Sequence, residues 1–417
     1  MNITVYFQQI FKNRPFCLFL LSSFFLFLIS QFYFLAQVSM ILDITKSTIL
    51  LGTVLMVMAV PRLIILPLGG ILTDKFSEKK VLIFGYTSLI CLLGVLSLLV
   101  TFNLLSVTVI LVFAALFGIS SALILPATYS IVPKLVDETV LQSANALVQF
   151  QNQLSFFIGP AIAGLLLETV ELGIFFLLML LLIILSLILI LYIKPQTDEN
   201  NKMEDKSARS KGFGDVIKDP TVVMLILFTA MLNISVIGPQ QVGLPVLAES
   251  HLKMDTKGLG YLLSTFGLGS LMGVVIGGIL SNRKNNLVTL FLLAIQFGVI
   301  WAGFTFITDI RITFVLLCLT GILIGVINVL FITALQTSSP KYLLGRVMSL
   351  QFMGSTGLQP LSYFFTGLLI SLTSLQITFL IAGLIIFVFS IVLLASINYL
   401  KINKNSEKVF DGIRERG

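Results

Sequence analysis

Gly70-Ile71-Leu72-Thr73-Asp74-Lys75-Phe76-Ser77-Glu78-Lys79-Lys80 joins two long apolar runs. A glycine at the end of an apolar run lets two helices approach closely. An acid follows four residues on, and three lysines fall within the next six residues. The spacing predicts a short cytoplasmic loop at a membrane edge with built-in electrostatics, rather than a catalytic site.

The flanking composition agrees. Of 417 residues, 57% are hydrophobic and 11% charged, against about 25% charged in soluble domains. A membrane-crossing helix needs about 20 apolar residues. Runs 15–42, 47–73, 139–167, 172–193, 220–248, 258–282, 285–308 and 312–340 each hold one span, the second interrupted only by Arg62. Runs 81–133 and 347–400 each hold two, with polar breaks near 101–103 and 371–374. The expectation is an all-α membrane protein with 12 spans; the strands of a barrel would alternate in segments of about ten residues.

The net charge of +7 would suit a nucleic-acid partner, but its distribution excludes one. An even number of spans puts both termini on one side. With that side inside, 21 Lys and Arg lie inside, four outside (Lys46, Lys253, Lys257, Arg311) and Arg62 within a span. That asymmetry is the positive-inside rule. It predicts a multi-pass protein of the plasma (cytoplasmic) membrane with both termini cytoplasmic. The first apolar run reads as an uncleaved span because it is long and lacks a small-residue cleavage site. Cys17, Cys91 and Cys318 fall within spans, as packing residues rather than a disulfide framework.

The polar segment 194–219 divides the spans six and six. The expected organisation is an N-terminal bundle over 1–193, a cytoplasmic linker over 194–219, a C-terminal bundle over 220–400 and a cytoplasmic tail over 401–417. The halves repeat: Leu51-Gly52 recurs as Leu259-Gly260, and Gly69-Gly70-Ile71-Leu72 as Gly277-Gly278-Ile279-Leu280, both 208 residues later. In the second copy Asn282-Arg283 replaces Asp74-Lys75, so the base is kept and the acid lost.

The chain contains no HExxH, Walker loop or CxxC, and its one histidine, His251, reads as a solvated loop residue. Nothing supports hydrolysis, ATP use, a cofactor or a metal. The chemistry lies in polar groups at membrane depth, which are costly unless they face a bundle interior or a cavity. Asn145, Gln149 and Asn152 share one face of the fifth span; Gln31, Gln37, Asn233, Gln240, Gln241, Asn328, Gln351 and Gln359 lie in others. Arg62 is about 20 Å deep, 13 residues from the start of its span. It needs a carboxylate, carbonyls, water or an anionic ligand. Asp43 is the nearest acid by topology. Gly159-Pro160-Ala161-Ile162-Ala163-Gly164 predicts a kink, because proline removes a helix hydrogen bond.

The Gly70–Lys80 segment resembles the loop between helices 2 and 3 of the major facilitator superfamily, with Ser77 in place of its second glycine. Gly159-Pro160 to Gly164 is similar to the tail of the fifth-helix motif of drug antiporters, with Ala163, Ser155 and Ala146 at positions where that pattern has glycine. Pro61-Arg62-Leu63, Pro126-Ala127, Val132-Pro133-Lys134-Leu135-Val136, Ser143-Ala144-Asn145-Ala146-Leu147 and Gly345-Arg346-Val347-Met348-Ser349 resemble the macrolide-efflux-like branch of drug:proton antiporters. Ala114 and Ala115 stand before Gly118, where many of those exporters carry an arginine in helix 4.

The resemblance implies two parallel-repeat six-helix bundles around a cavity lined by helices 1, 4, 5, 7, 10 and 11. It implies Gly70, Asp74, Lys75, Lys79 and Lys80 as a gating loop, with Asp74 meeting the start of helix 11 near Gly345-Arg346. It also implies proton coupling, with Asp43 as candidate, and a monomer in the lipid bilayer. The resulting expectation is a secondary transporter, not an enzyme, that exports a small amphipathic compound by alternating access. The cavity candidates are Arg62, Gln31, Asn145, Gln149, Asn152, Asn233, Gln240, Asn328 and Gln351. Alternatives are a lipid or siderophore-type exporter of the same fold, and a non-transporting membrane receptor or scaffold.

Overall fold

The computed structural model describes residues 11–193, 220–280, 286–307, 309–339 and 344–414. The segment expected to link the halves, 194–219, lies outside them. Helices follow one another in chain order: α1 (Arg14–Thr45), α2 (Thr48–Lys75), α3 (Glu78–Thr101), α4 (Val107–Ser130), α5 (Glu138–Thr169), α6 (Leu172–Tyr192), α7 (from Pro220–Gly238), α8 (Thr256–Leu280), α9 (Asn286–Gly303), α10 (Ile310–Ser338), α11a (Leu344–Gly357) with α11b (Gln359–Leu372), and α12 (Leu375–Arg414). Among the described residues, 11 helices are continuous and apolar enough to cross a membrane. The twelfth span is the α11a–α11b pair, two pieces of 14 residues each. They part at Leu358, two residues before Pro360. Proline lacks an N–H and crowds the carbonyl four residues back, so the helix breaks there.

Helix ends lie where their sequences place them. The side chain of Asn13 accepts from Phe16 N at 3.1 Å and caps α1, while its amide donates to Leu135 O at 2.6 Å. Left-handed residues Lys46 and Lys253 turn the chain between α1 and α2 and between α7 and α8. α12 remains helical to Arg414, 14 residues beyond the expected end of its span at 400.

Within each half the packing repeats. α2 packs on α4 and α3 on α6; in the second half α8 packs on α10 and α9 on α12. Small residues make the closest crossings, as expected where lipid supplies no hydrophobic drive and helices associate through contact alone. Gly269 and Gly273 of α8 meet Cys318 and Ile322 of α10, and Gly321 and Gly325 of α10 meet Phe266 and Ser270 of α8.

The two halves meet along α2 against α11b and α5 against α8. Glycines bring the backbones together at the end of the bundle remote from Arg14, here called the distal end. A side chain on Gly52 would lie 3.3 Å from Gly367 Cα, and one on Gly164 would lie 3.3 Å from Gly260 Cα. Gly52 and Gly260 are the glycines that the 208-residue repeat relates. Each crosses to the opposite half, so the repeat reflects a pair of related seams. Polar bonds reinforce them: Thr48 Oγ1 donates to Gly367 O at 3.1 Å, Ser39 and Thr256 hydroxyls lie 3.3 Å apart, and Lys257 Nζ is 3.2 Å from Glu168 Oε2.

At the other end, Lys79 Nζ donates to Leu191 O at 2.8 Å and Ile193 O at 2.7 Å. Those carbonyls sit where α6 ends and its dipole is negative. Lys134 reaches the buried Glu78 at 2.8 Å. Lys79→Met should therefore cost about 1–2 kcal/mol, the lower part of the range for hydrogen bonds from a charged group. The check is a lower melting temperature of the purified protein with membrane insertion unchanged.

Candidate functional site: a two-lobed central cavity

Two adjoining cavities lie between the halves and share Phe156 as a wall. The smaller, about 250 Å3, is lined by Gln31, Arg62, Asn152, Gln241 and Tyr363 among apolar side chains. The larger, about 420 Å3, is lined by Asn233, Gln240, Asn328, Gln351, Gln153 and Ser270 among apolar side chains. Helices of both halves contribute to each lobe, so a rigid-body movement of the halves would change both.

Arg62 projects from the middle of α2 into the smaller lobe. It makes no ion pair with a described residue, and no described Asp or Glu lines either lobe. Its neighbours are two phenols, Tyr363 of α11b and Tyr129 of α4. Tyr129 lies beside the amides of Gln149 and Asn152. The cluster thus collects polar groups from α1, α2, α4, α5, α7 and α11b around one permanent charge.

α7 changes pitch where it passes the two lobes. Ser362 Oγ accepts from Gly238 N at 2.8 Å and donates to Ile234 O at 2.7 Å, two groups that a regular α-helix would join to each other. Pro239 then cannot bond Ser235 O, and Trp301 Nε1 donates to that carbonyl at 3.2 Å. Wider π-helical turns follow, Pro239–Gly243 and Leu247–His251. Such turns are rare and often sit at functional sites. Gln240, in the first of these turns, lines the larger lobe and Gln241 the smaller. Both amides keep an unpartnered buried atom, Gln240 Nε2 and Gln241 Oε1.

Among the expected site residues, Gln31, Arg62 and Asn152 meet in the smaller lobe, and Asn233, Gln240, Asn328 and Gln351 in the larger. Gln149 and Asn145 are exposed and line neither lobe. Asp43 is exposed near the distal end, where it accepts from Ser39 at 3.1 Å, and it lines neither lobe. Gly159 and Gly164 serve close packing: Gly159 makes room for Gln31 of α1, and Gly164 forms the seam with α8. α5 runs through Pro160 without interruption. The side chains of Gly70, Asp74, Lys75, Gly345 and Arg346 lie outside the described residues. Lys79 turns toward α6, and Lys80 is exposed.

Sequence reasoning passed over Tyr129, Tyr363 and Gln153. Gln153 Nε2 donates to Ser270 Oγ at 2.8 Å and joins α5 to α8 across the halves. The signal was present: a phenol or amide at membrane depth needs a hydrogen-bond partner as a carboxamide elsewhere does. Where helix 4 of many drug exporters has an arginine, Ala114 is buried, and one turn on Phe117 stacks on Tyr33 with centroids 3.8 Å apart.

Residues 16–359 match the Major Facilitator Superfamily profile. The chain belongs to that superfamily. Among curated relatives, the enterobactin exporter EntS of Shigella boydii serotype 4 (strain Sb227) is 26% identical over 310 residues, 73% of each chain. The EntS of Escherichia coli O1:K1 / APEC is 26% identical over 291 residues, 68% of each. Among solved structures, the nucleoside transporter NupG superposes with a TM-score of 0.71 at 14% identity, covering 91% of this chain and 98% of that one. At that identity the likeness concerns the fold. This major facilitator chain is a multi-pass membrane transporter with the twelve-helix, two-bundle architecture of its superfamily.

Proposed function

We propose that this transporter exports a small amphipathic compound by rocking its two bundles about the central cavity. The observation that carries the proposal is a cavity built from both halves beneath a distal seal of paired glycines. The positive-inside rule supports placing the termini in the cytoplasm, so the sealed end faces out and cargo enters from the cell. Bundles at 1–193 and 220–400, with 194–219 as linker and 401–417 as tail, are part of this reading, as are a monomeric state and proton coupling. No described carboxylate lines either lobe, and Asp43 is the proposed coupling residue on the resemblance alone.

A second reading, export of a siderophore-type metabolite, is supported by the likeness to the enterobactin exporters. The test is accumulation in everted membrane vesicles from cells with and without the gene, using a panel of antibiotics, dyes and iron chelators. Accumulation that follows the proton gradient supports export; equal accumulation of every compound in both vesicle types would overturn it.

Asp74 belongs to the proposed gate, where its charge would meet the positive end of α11a once the inner side closes. Asp74→Asn should weaken that closure by about 1–2 kcal/mol. Transport should fall with membrane insertion intact; native transport rates would remove Asp74 from the gate.

A further inference from the structure

We infer that the smaller lobe receives an acidic group of the cargo, so that the exported compound is an amphipathic anion rather than a cation. This rests on the exporter reading and narrows it. Arg62 is a permanent charge at mid-membrane without an ion pair among the described residues, in a lobe that no carboxylate lines. A charge so placed is costly until something neutralises it. The groups around it are hydroxyls and amides, which can share an anion but cannot replace one: Tyr363, Asn152, Gln31 and Gln241. A guanidinium is also suited to the planar, two-point geometry of a carboxylate.

The paired amides of α7 extend the description. Gln241 Oε1 is an unpartnered buried acceptor in the lobe that holds Arg62, and Gln240 Nε2 an unpartnered buried donor in the other. The first calls for a hydroxyl or N–H near the acidic group, the second for a carbonyl-type acceptor in the body of the molecule. The larger lobe carries no formal charge and takes that neutral body. The cargo is therefore an acid with a neighbouring hydrogen-bond donor, joined to a larger uncharged polar and apolar portion.

The test uses three fluorophores of one skeleton, dansylglycine (anionic), dansylamide (neutral) and dansylcadaverine (cationic). Their binding is followed by dansyl emission on the purified full-length protein in nanodiscs. Dansylglycine should bind at least about tenfold more tightly than dansylcadaverine, the size of one charge-assisted hydrogen bond. Arg62→Gln should reduce that ratio to near one, and Arg62→Lys should retain part of it. Gln240→Leu should weaken all three ligands alike and leave the ratio unchanged. Thermal melts of each variant separate loss of preference from loss of folding. A native ratio near one, a ratio unaltered in folded Arg62→Gln, or no binding of any member would each overturn the inference. If vesicles expressing the native protein still accumulate other compounds in those cases, the exporter reading survives; if they accumulate nothing, it falls too.

Discussion

Gly260→Leu should abolish transport and hold the distal end open. Its Cβ would run into the Pro160 carbonyl oxygen and stand 3.2 Å from Gly164 Cα, so backbone rather than a flexible side chain blocks the space. Overfilling a packed site costs about 1–3 kcal/mol, and a rigid obstacle puts this case at the upper end. A penalty of about 3 kcal/mol on the sealed state shifts a two-state population by more than a hundredfold. The folded state itself should survive, because the residue is crowded only where the halves touch. Gly52→Leu should act in the same way through the related seam, where its Cβ would be 2.5 Å from Tyr363 O. Gly303→Ala is the control, since nothing lies within 4 Å of the added methyl. Transport assays and thiol labelling of a cysteine placed at Ser39 would read the result. Normal transport with Ser39 still protected in Gly260→Leu would remove the seam from the mechanism.

Trp301→Ala should give the largest loss of stability in the second bundle. The ring is fully buried against Phe297, Phe304 and Phe379, with centroid distances of 5.4, 5.2 and 5.2 Å. Removing such a ring costs about 3–5 kcal/mol. Within a membrane the loss is of contact rather than of hydrophobic drive, because the cavity left behind has no partner atoms. Trp301→Phe keeps most of the packing but leaves Ser235 O, which Pro239 cannot satisfy, without its donor. That change should cost about 1–3 kcal/mol. Because Ser235 precedes the π-helical turn, Trp301→Phe should also weaken ligand binding at Gln240 and Gln241. Thermal unfolding in detergent gives the stability, and a melt of Trp301→Ala equal to the native one would contradict it.

The fold was legible where physics makes long runs. Cutting the chain at its charges located twelve spans, because burying a charge in lipid is costly enough to keep charges at the ends. The repeat of Gly52 at Gly260 was visible, but the helices on which the two glycines close were not. The break at Leu358 was not found, although Gly357 and Pro360 stand beside it, since counting charges cannot see a helix that stops inside an apolar run. Gly164 was read as easing a kink, and it also closes on another helix whose identity no local pattern reveals. The candidate site was legible as a set of amides and one arginine. The π-helical turn that carries Gln240 and Gln241 was not legible, since it follows a bond to Ser362, 124 residues from Gly238 in the chain. Tyr129 and Tyr363 sit among aromatic residues numerous enough to hide two phenols beside Arg62.

The most direct measurement of alternating access is a pair of spin-label distances in liposomes, with Cys17, Cys91 and Cys318 replaced. One pair, Asn103 and Arg311, reports the distal end; the other, Ser130 and Thr337, reports the opposite end, and each joins the two halves. With a transported compound and a proton gradient, the first distance should lengthen as the second shortens, and both should revert when the gradient collapses. Two distances that stay fixed, or that lengthen together, would contradict a transporter that rocks about its central cavity.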